Sequence, residues 1–236
     1  MTTTSPQRSD ADQGVDLRAP VQGGLATSEA FAAALRGEPC RVLGMGGDAG
    51  PALLPARRWT ADVDDSDHAL LRRCCGATVD IGCGPGRLTH ALLSLGIKAL
   101  GIDVVDTAVQ LTRERGAMAL QRDIFADLPG EGRWRTALLA DGNIGIGGDP
   151  VRLLRRASAV VTPGGRIIVD LAAPGGPIRV HRVVLEVAGC RTRSFPWAVV
   201  PADQLELLAE QTALRILELV DHDGRWFATL QRGGSS

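Results

Sequence analysis

A chain of 236 residues is long enough for one sizeable α/β domain with its own core and too short for two. With 44% hydrophobic and 22% charged residues the composition is ordinary for a globular protein, and a formal net charge of −1 argues against a general electrostatic affinity for nucleic acid or an anionic membrane. The five cysteines form no CxxC pair and no Cys/His cluster with zinc spacing, so no metal is expected and Cys74 and Cys75 read as packing residues.

The polar opening, residues 1–16, has no apolar h-region, and no run approaches the roughly 20 apolar residues of a membrane span. A reduced cytoplasmic setting is expected. Arginine is abundant and lysine occurs once, at Lys98, a bias typical of a GC-rich bacterial genome. Residues 1–20, rich in Thr, Ser, Asp and Gln, read as a disordered tail. Residues 21–76 read as a helical or lid segment. It holds a helix over 28–36, a Gly/Pro-rich connector through Pro55, and a helix over 68–73 with Asp65, Ser66 and Asp67 as N-cap candidates.

From Ala77 to residue 232 the pattern is that of a single α/β domain. Short apolar runs at 78–81, 99–102, 118–121, 136–139 and 166–171 read as strands, and helical patterns at 87–95, 107–115 and 151–159 separate most of them. Such alternation predicts a doubly wound, mostly parallel sheet covered on both faces. The tail breaks the rhythm. Residues 179–188 and 194–200 look extended, 203–211 helical, and 214–220 and 226–230 flank His222-Asp223-Gly224, whose Asp-Gly pair predicts a hairpin.

The loop Gly82-Cys83-Gly84-Pro85-Gly86 joins a buried strand to a helix, where glycines allow a tight turn and a close approach of ligand to backbone. Asp103 lies at the end of the next strand, about 20 residues on, where an acid reaches the ribose hydroxyls of a bound nucleoside. A pyrophosphate site favours G-x-G-x-x-G with bare amides. This loop is G-x-G-x-G, Pro85 lacks an amide donor, and Asp80 precedes it. An acid there repels pyrophosphate and attracts the ammonium of an amino-acid tail, which disfavours NAD or NADP and an oxidoreductase.

The stretch Val79-Asp80-Ile81-Gly82-Cys83-Gly84-Pro85-Gly86 resembles motif I of the class I, Rossmann-like S-adenosylmethionine-dependent methyltransferases. Arg122-Asp123-Ile124-Phe125 is similar to that family's segment after the third strand, and Ala140-Asp141-Gly142-Asn143 to its segment after the fourth. The turn Pro163-Gly164-Gly165-Arg166 is also usual there. The resemblance implies a seven-stranded sheet closing on an antiparallel hairpin strand. It implies S-adenosylmethionine as cofactor and S-adenosylhomocysteine as product, held by Asp80, Gly82, Cys83, Gly84, Gly86, Asp103, Val104, Asp123, Ile124, Asp141 and Gly142. Asp123 has an alternative role, capping the turn towards Phe125.

Methyl transfer is an in-line displacement that needs a general base only if the acceptor arrives protonated. Asp141 and His181 are the candidate catalytic residues; His181 lies in the 176–200 insertion, expected near the acceptor. His68, His90 and His222 are expected to be exposed. Arg58, Trp59, Asn143 and Trp197 are substrate-binding candidates, with Trp supplying apolar area and Arg a partner for a carboxylate. The small lid and the absence of a basic stripe favour a small-molecule acceptor over nucleic acid, with no membrane partner and a monomer or homodimer. A catalytically silent S-adenosylmethionine-binding subunit is the alternative from another class, and aminopropyl transfer a related chemistry for which no acidic polyamine pocket is visible.

Overall fold

The computed structural model describes residues 24–45 and 50–234. The expectation of a disordered tail over 1–20 therefore lies outside the described residues. Among the described residues, no helix is long and apolar enough to cross a membrane, and no group of His, Cys, Asp and Glu side chains could hold a metal ion.

The first half of the chain runs α1 (Thr27–Leu35), β1 (Cys40–Leu43), β2 (Ala52–Leu53), α2 (Ala56–Thr60), α3 (Asp65–Leu71), β3 (Thr78–Ile81), α4 (Arg87–Ser94), β4 (Ala99–Asp103), α5 (Asp106–Glu114) and β5 (Ala119–Gln121). The second half runs β6 (Trp134–Leu139), α6 (Pro150–Val160), β7 (Val161–Leu171), β8 (Arg179–Val187), β9 (Cys190–Arg191), β10 (Phe195–Val199), α7 (Leu205–Thr212), β11 (Leu214–His222) and β12 (Arg225–Arg232).

Seven strands form one sheet in the order β11-β12-β7-β6-β3-β4-β5. The pairs among β5, β4, β3, β6 and β7 are parallel, and β12 enters antiparallel beside β7. This is the doubly wound sheet with a reversed closing strand. β3 is buried at all four positions, as a central parallel strand covered on both faces must be. The Pro163-Gly164-Gly165 turn sits inside β7, whose pairing with β6 skips from Val161 to Arg166. The hairpin predicted at Asp223-Gly224 is present: both residues have positive φ, +53° and +85°, as a type I′ turn requires.

The remaining strands make a second, antiparallel sheet in the order β10-β8-β1-β2, with β9 beside β8. The 37–55 stretch is thus no mere connector; it supplies β1 and β2, and β1 pairs with β8 from Cys40↔Val187 to Leu43↔Val184. The N-terminal segment and the insertion after β7 are one body. Its own core holds Ala30, Val42, Val183, Leu185 and Phe195, with Phe31, Trp59 and Trp197 against it. The first helix also touches the larger unit: Ala32 packs on Val105 and Ala108 at the start of α5, beside Val104. Asp64 rather than Asp65, Ser66 or Asp67 is the N-cap of α3, in a reciprocal capping box with Asp67.

Candidate cofactor and acceptor site

The carboxyl ends of β3, β4 and β6 lie side by side, the crevice where open α/β sheets bind ligands. The loop after β3 turns on three left-handed glycines, Gly82 (φ +72°), Gly84 (+55°) and Gly86 (+79°). The amides of Gly82 and Cys83 both donate to Ile102 O, at 2.8 and 3.0 Å. Cys83 turns inward and fills the place a side chain at residue 101 would need, 2.7 Å from Sγ; burial pushes its thiol well up. Gly86 lies so close to Thr112 that a Cβ would fall 2.5 Å from its Cγ2. Cys83, Pro85 and Gly86 are buried, while Gly82 and Gly84 are partly exposed, and a Cβ on Gly84 would meet nothing within 4 Å. A ligand has open backbone to lie against there, which fits the implied nucleoside.

Asp103 clamps that loop. One carboxylate oxygen accepts the Gly84 amide at 2.9 Å and the other the Val105 amide at 2.8 Å. Burial raises its pKa and these amides oppose the rise. Each oxygen retains a further lone pair for a ribose hydroxyl. Val104 is half-buried and its carbonyl accepts from the Gln121 amide at 3.0 Å. Asp80 is 2% exposed, and its carboxylate accepts from the Thr89 hydroxyl at 2.6 Å. Burial pushes its pKa up to about 7; the Thr89 bond offsets part of this and Asp141 adds to it. Asp123 is exposed and accepts the Phe125 amide at 2.9 Å, the turn-capping role, while Ile124 is buried.

After β6 the chain turns through Asp141 (φ +51°) and Gly142 (φ +78°). The Asp141 amide donates to the Asp170 carboxylate at 2.7 Å, and its own carboxylate accepts from Arg87 at 2.7 Å, with Arg225 at 3.6 Å and Arg58 at 3.8 Å. The Asn143 side-chain amide donates to Ile81 O and Gly82 O, each at 2.9 Å, and lies where a Cβ on Gly82 would be. Asn143 is therefore the clamp between this loop and the glycine loop.

Above these loops sits the second sheet with α1 and α2. Arg57, Arg58 and Trp59 lie within α2 itself. Arg58 is half-exposed and loosely paired with Asp64, Asp67 and Asp141 at 3.8–3.9 Å. Trp59 stacks obliquely on Phe31, ring centroids 6.4 Å apart. Trp197 pairs with His181 across β10 and β8 and bridges to Ile146 of the loop after β6. The His181 ring lies 3.2 Å from Gly44 O, within the second sheet. His90 is exposed as expected, but His68 and His222 are half-buried.

Sequence reasoning missed the ion network beneath Asp141. Asp67 is completely buried and receives both Arg87 and Arg225; Arg225 also forks onto Asp170. Burial raises the Asp170 pKa and Arg225 opposes it. Asp67 had a local signal, since it stands three residues after the true N-cap, and Arg87 opens the helix after the glycine loop. Nothing local marks Asp170 or Arg225.

Residues 78–165 match a family model described as a methyltransferase domain. The chain is 31% identical over 183 residues to a trans-aconitate 2-methyltransferase of Paracidovorax citrulli, covering 74% of this chain and 66% of that one. It is 33% identical over 122 residues to a ribosomal protein L11 methyltransferase of Xylella fastidiosa, covering 49% of this chain and 39% of that one. The chain thus spans less than two thirds of these relatives' own length. Among solved structures, a SAM-dependent methyltransferase of Bacteroides fragilis in complex with S-adenosyl-L-homocysteine superposes with a TM-score of 0.72 at 18% identity, over 87% of this chain and 94% of that one.

Proposed function

We propose that the protein transfers the methyl group of S-adenosylmethionine to a small-molecule acceptor, a reading supported by the methyltransferase domain model that matches residues 78–165 and by the class I fold of the chain. The observation that carries this reading is the half-open glycine loop. Its backbone is partly exposed at Gly82 and Gly84, and the two flanking loops brace it through Asp103 and Asn143. The nucleoside lies along Gly82–Gly84 with its ribose on Asp103, and Asp80 supplies negative charge behind the loop for the ammonium of the amino-acid tail. Val104 and Ile124 offer apolar area to the base.

The acceptor enters between Asp141 and the second sheet, where Arg58, Trp59, Trp197 and His181 stand. Asp141 is held by Arg87 and is not poised as a free base, while His181 meets Gly44 O through Nδ1 alone. An acceptor that is already a nucleophile at neutral pH suits this arrangement. A carboxylate is one, being ionised well below pH 7, and the relative named for trans-aconitate is named for such an acid. Catalysis then comes from holding acceptor and methyl in line, worth roughly 7–11 kcal/mol for well-oriented reactants.

Calorimetric titration with S-adenosylmethionine, S-adenosylhomocysteine, NAD and NADP tests the reading. The first two bind, and Asp103→Ala and Gly84→Val both lose them: the first by freeing the Gly84 amide, the second by putting a side chain at φ +55° into the open cradle. Binding of a nicotinamide nucleotide alone, or of nothing, refutes it.

A further inference from the structure

We propose that Arg225 and Asp170, which lie outside every motif discussed above, are positioning residues for the amino-acid tail of the cofactor; this rests on the reading just given. Arg225 is the first residue of β12, at the end of the closing hairpin. Its guanidinium donates twice to Asp170, from Nε to Oδ1 at 3.0 Å and from Nη2 to Oδ2 at 2.6 Å. The remaining nitrogen donates to Asp67 Oδ1 at 2.6 Å and to Ser66 Oγ at 3.1 Å. One planar fork thus ties the hairpin to β7 and to α3, a geometry that Lys cannot reproduce.

The chain of contacts then runs to the site. The same Asp170 Oδ2 that Arg225 holds accepts the Asp141 amide. That bond, with Arg87 on the Asp141 carboxylate, fixes a non-glycine residue in the left-handed region, a conformation that persists only where its surroundings impose it. From Asp141 the turn passes through Gly142 to Asn143, whose amide group seizes Ile81 O and Gly82 O. Arg225 and Asp170 therefore set the loop that forms one wall beside Gly82. Asp67, 0% exposed, is shared by Arg87 and Arg225 and links the two guanidiniums.

The distinguishing ligand is 5′-methylthioadenosine, which has the adenosine of S-adenosylhomocysteine without the amino-acid tail. In Arg225→Lys, S-adenosylhomocysteine affinity measured by calorimetry falls about tenfold, the size of one lost charge-assisted bond, while methylthioadenosine affinity is held. Hydrogen exchange speeds up at the amides of 141–145 and is unchanged in β3 and β4. Asp170→Asn, which keeps an acceptor oxygen but faces Arg225 with an NH2 group, gives the same selective loss and serves if the lysine variant does not fold. Equal losses for both ligands, or no loss for either, overturn the inference while leaving the methyltransferase reading intact. A wild-type protein that binds neither ligand brings down both.

Discussion

Asp80 shows how much of the site's character resides in one side chain. It is enclosed, has a single hydroxyl partner at 2.6 Å, and lies within electrostatic reach of two other carboxylates, Asp141 and Asp103. Its pKa near 7 against an ordinary 3.8 means that the folded protein holds a proton the unfolded chain has lost between those two values. Stability therefore falls as pH rises from about 4 through 7, and above 7 the fold carries the whole penalty of a buried, ionised acid. A difference of this size corresponds to roughly 4 kcal/mol. Asp80→Asn keeps an acceptor for Thr89 and escapes the penalty. Thermal melts should show the variant more stable than wild type at pH 8, with the gap narrowing towards pH 5 and closing near pH 4. A gap of constant size would show that folding leaves the Asp80 pKa where the unfolded chain has it. If Asp80 faces the ammonium as proposed, the same substitution should weaken S-adenosylmethionine binding at pH 8 through loss of that counter-charge.

At the scale of elements, the glycines separate into those a turn needs and those a neighbour needs. Gly84 is of the first kind, with a left-handed φ and free space around it. Gly145 is of the second. Its backbone is ordinary, yet an added Cβ would fall 2.2 Å from Ala198 O and 2.6 Å from Trp197 Nε1. Strand β10 rests directly on that loop, and a main-chain carbonyl cannot swing aside. Gly145→Ala should push β10 off its seat at about 1–3 kcal/mol, the usual magnitude for overpacking. Melts would register the loss, and tryptophan emission should shift to the red by an amount that disappears in a Trp197→Phe background. An unshifted spectrum would mean that β10 is not seated there. Local chemistry made the parallel strands and the closing hairpin legible. Runs such as Thr78–Ile81 have buried side chains on both faces, and Asp223-Gly224 admits few backbone shapes. β1 and β2 escaped because four- and two-residue strands carry no periodicity of their own. β2 pairs with β1, and the other partner of β1, β8, lies over a hundred positions away. Asp67 read only as an N-cap candidate for the same reason: the arginines it pairs with come from residues 87 and 225.

The whole molecule is two sheets with largely separate cores. Ile81, Ile102, Leu139, Ile167 and Val169 belong to the interior of the seven-stranded sheet, and Val42, Val183, Leu185 and Phe195 to that of the smaller one. The smaller unit is closed by pairing between the N-terminal segment and the insertion between β7 and α7, so neither segment completes it alone. It reaches the larger unit through α1 on Val105 and Ala108, through the Ile146–Trp197 bridge, and through Arg58. A small apolar core opens at lower free energy than a central parallel sheet. Native-state hydrogen exchange should then show β1, β8 and β10 exchanging together through a partial opening while β3, β4, β6 and β7 wait for global unfolding. S-adenosylhomocysteine gives the sharper outcome. If the nucleoside lies between the two units, ligand at a hundred times its dissociation constant should protect the smaller sheet by up to about 2.7 kcal/mol, because opening must first release it. Exchange of both sheets in one step would mean that the cores are energetically one. Two steps with no ligand protection of the smaller sheet would mean that it does not cover the cofactor, and would move the acceptor site away from Trp197 and His181.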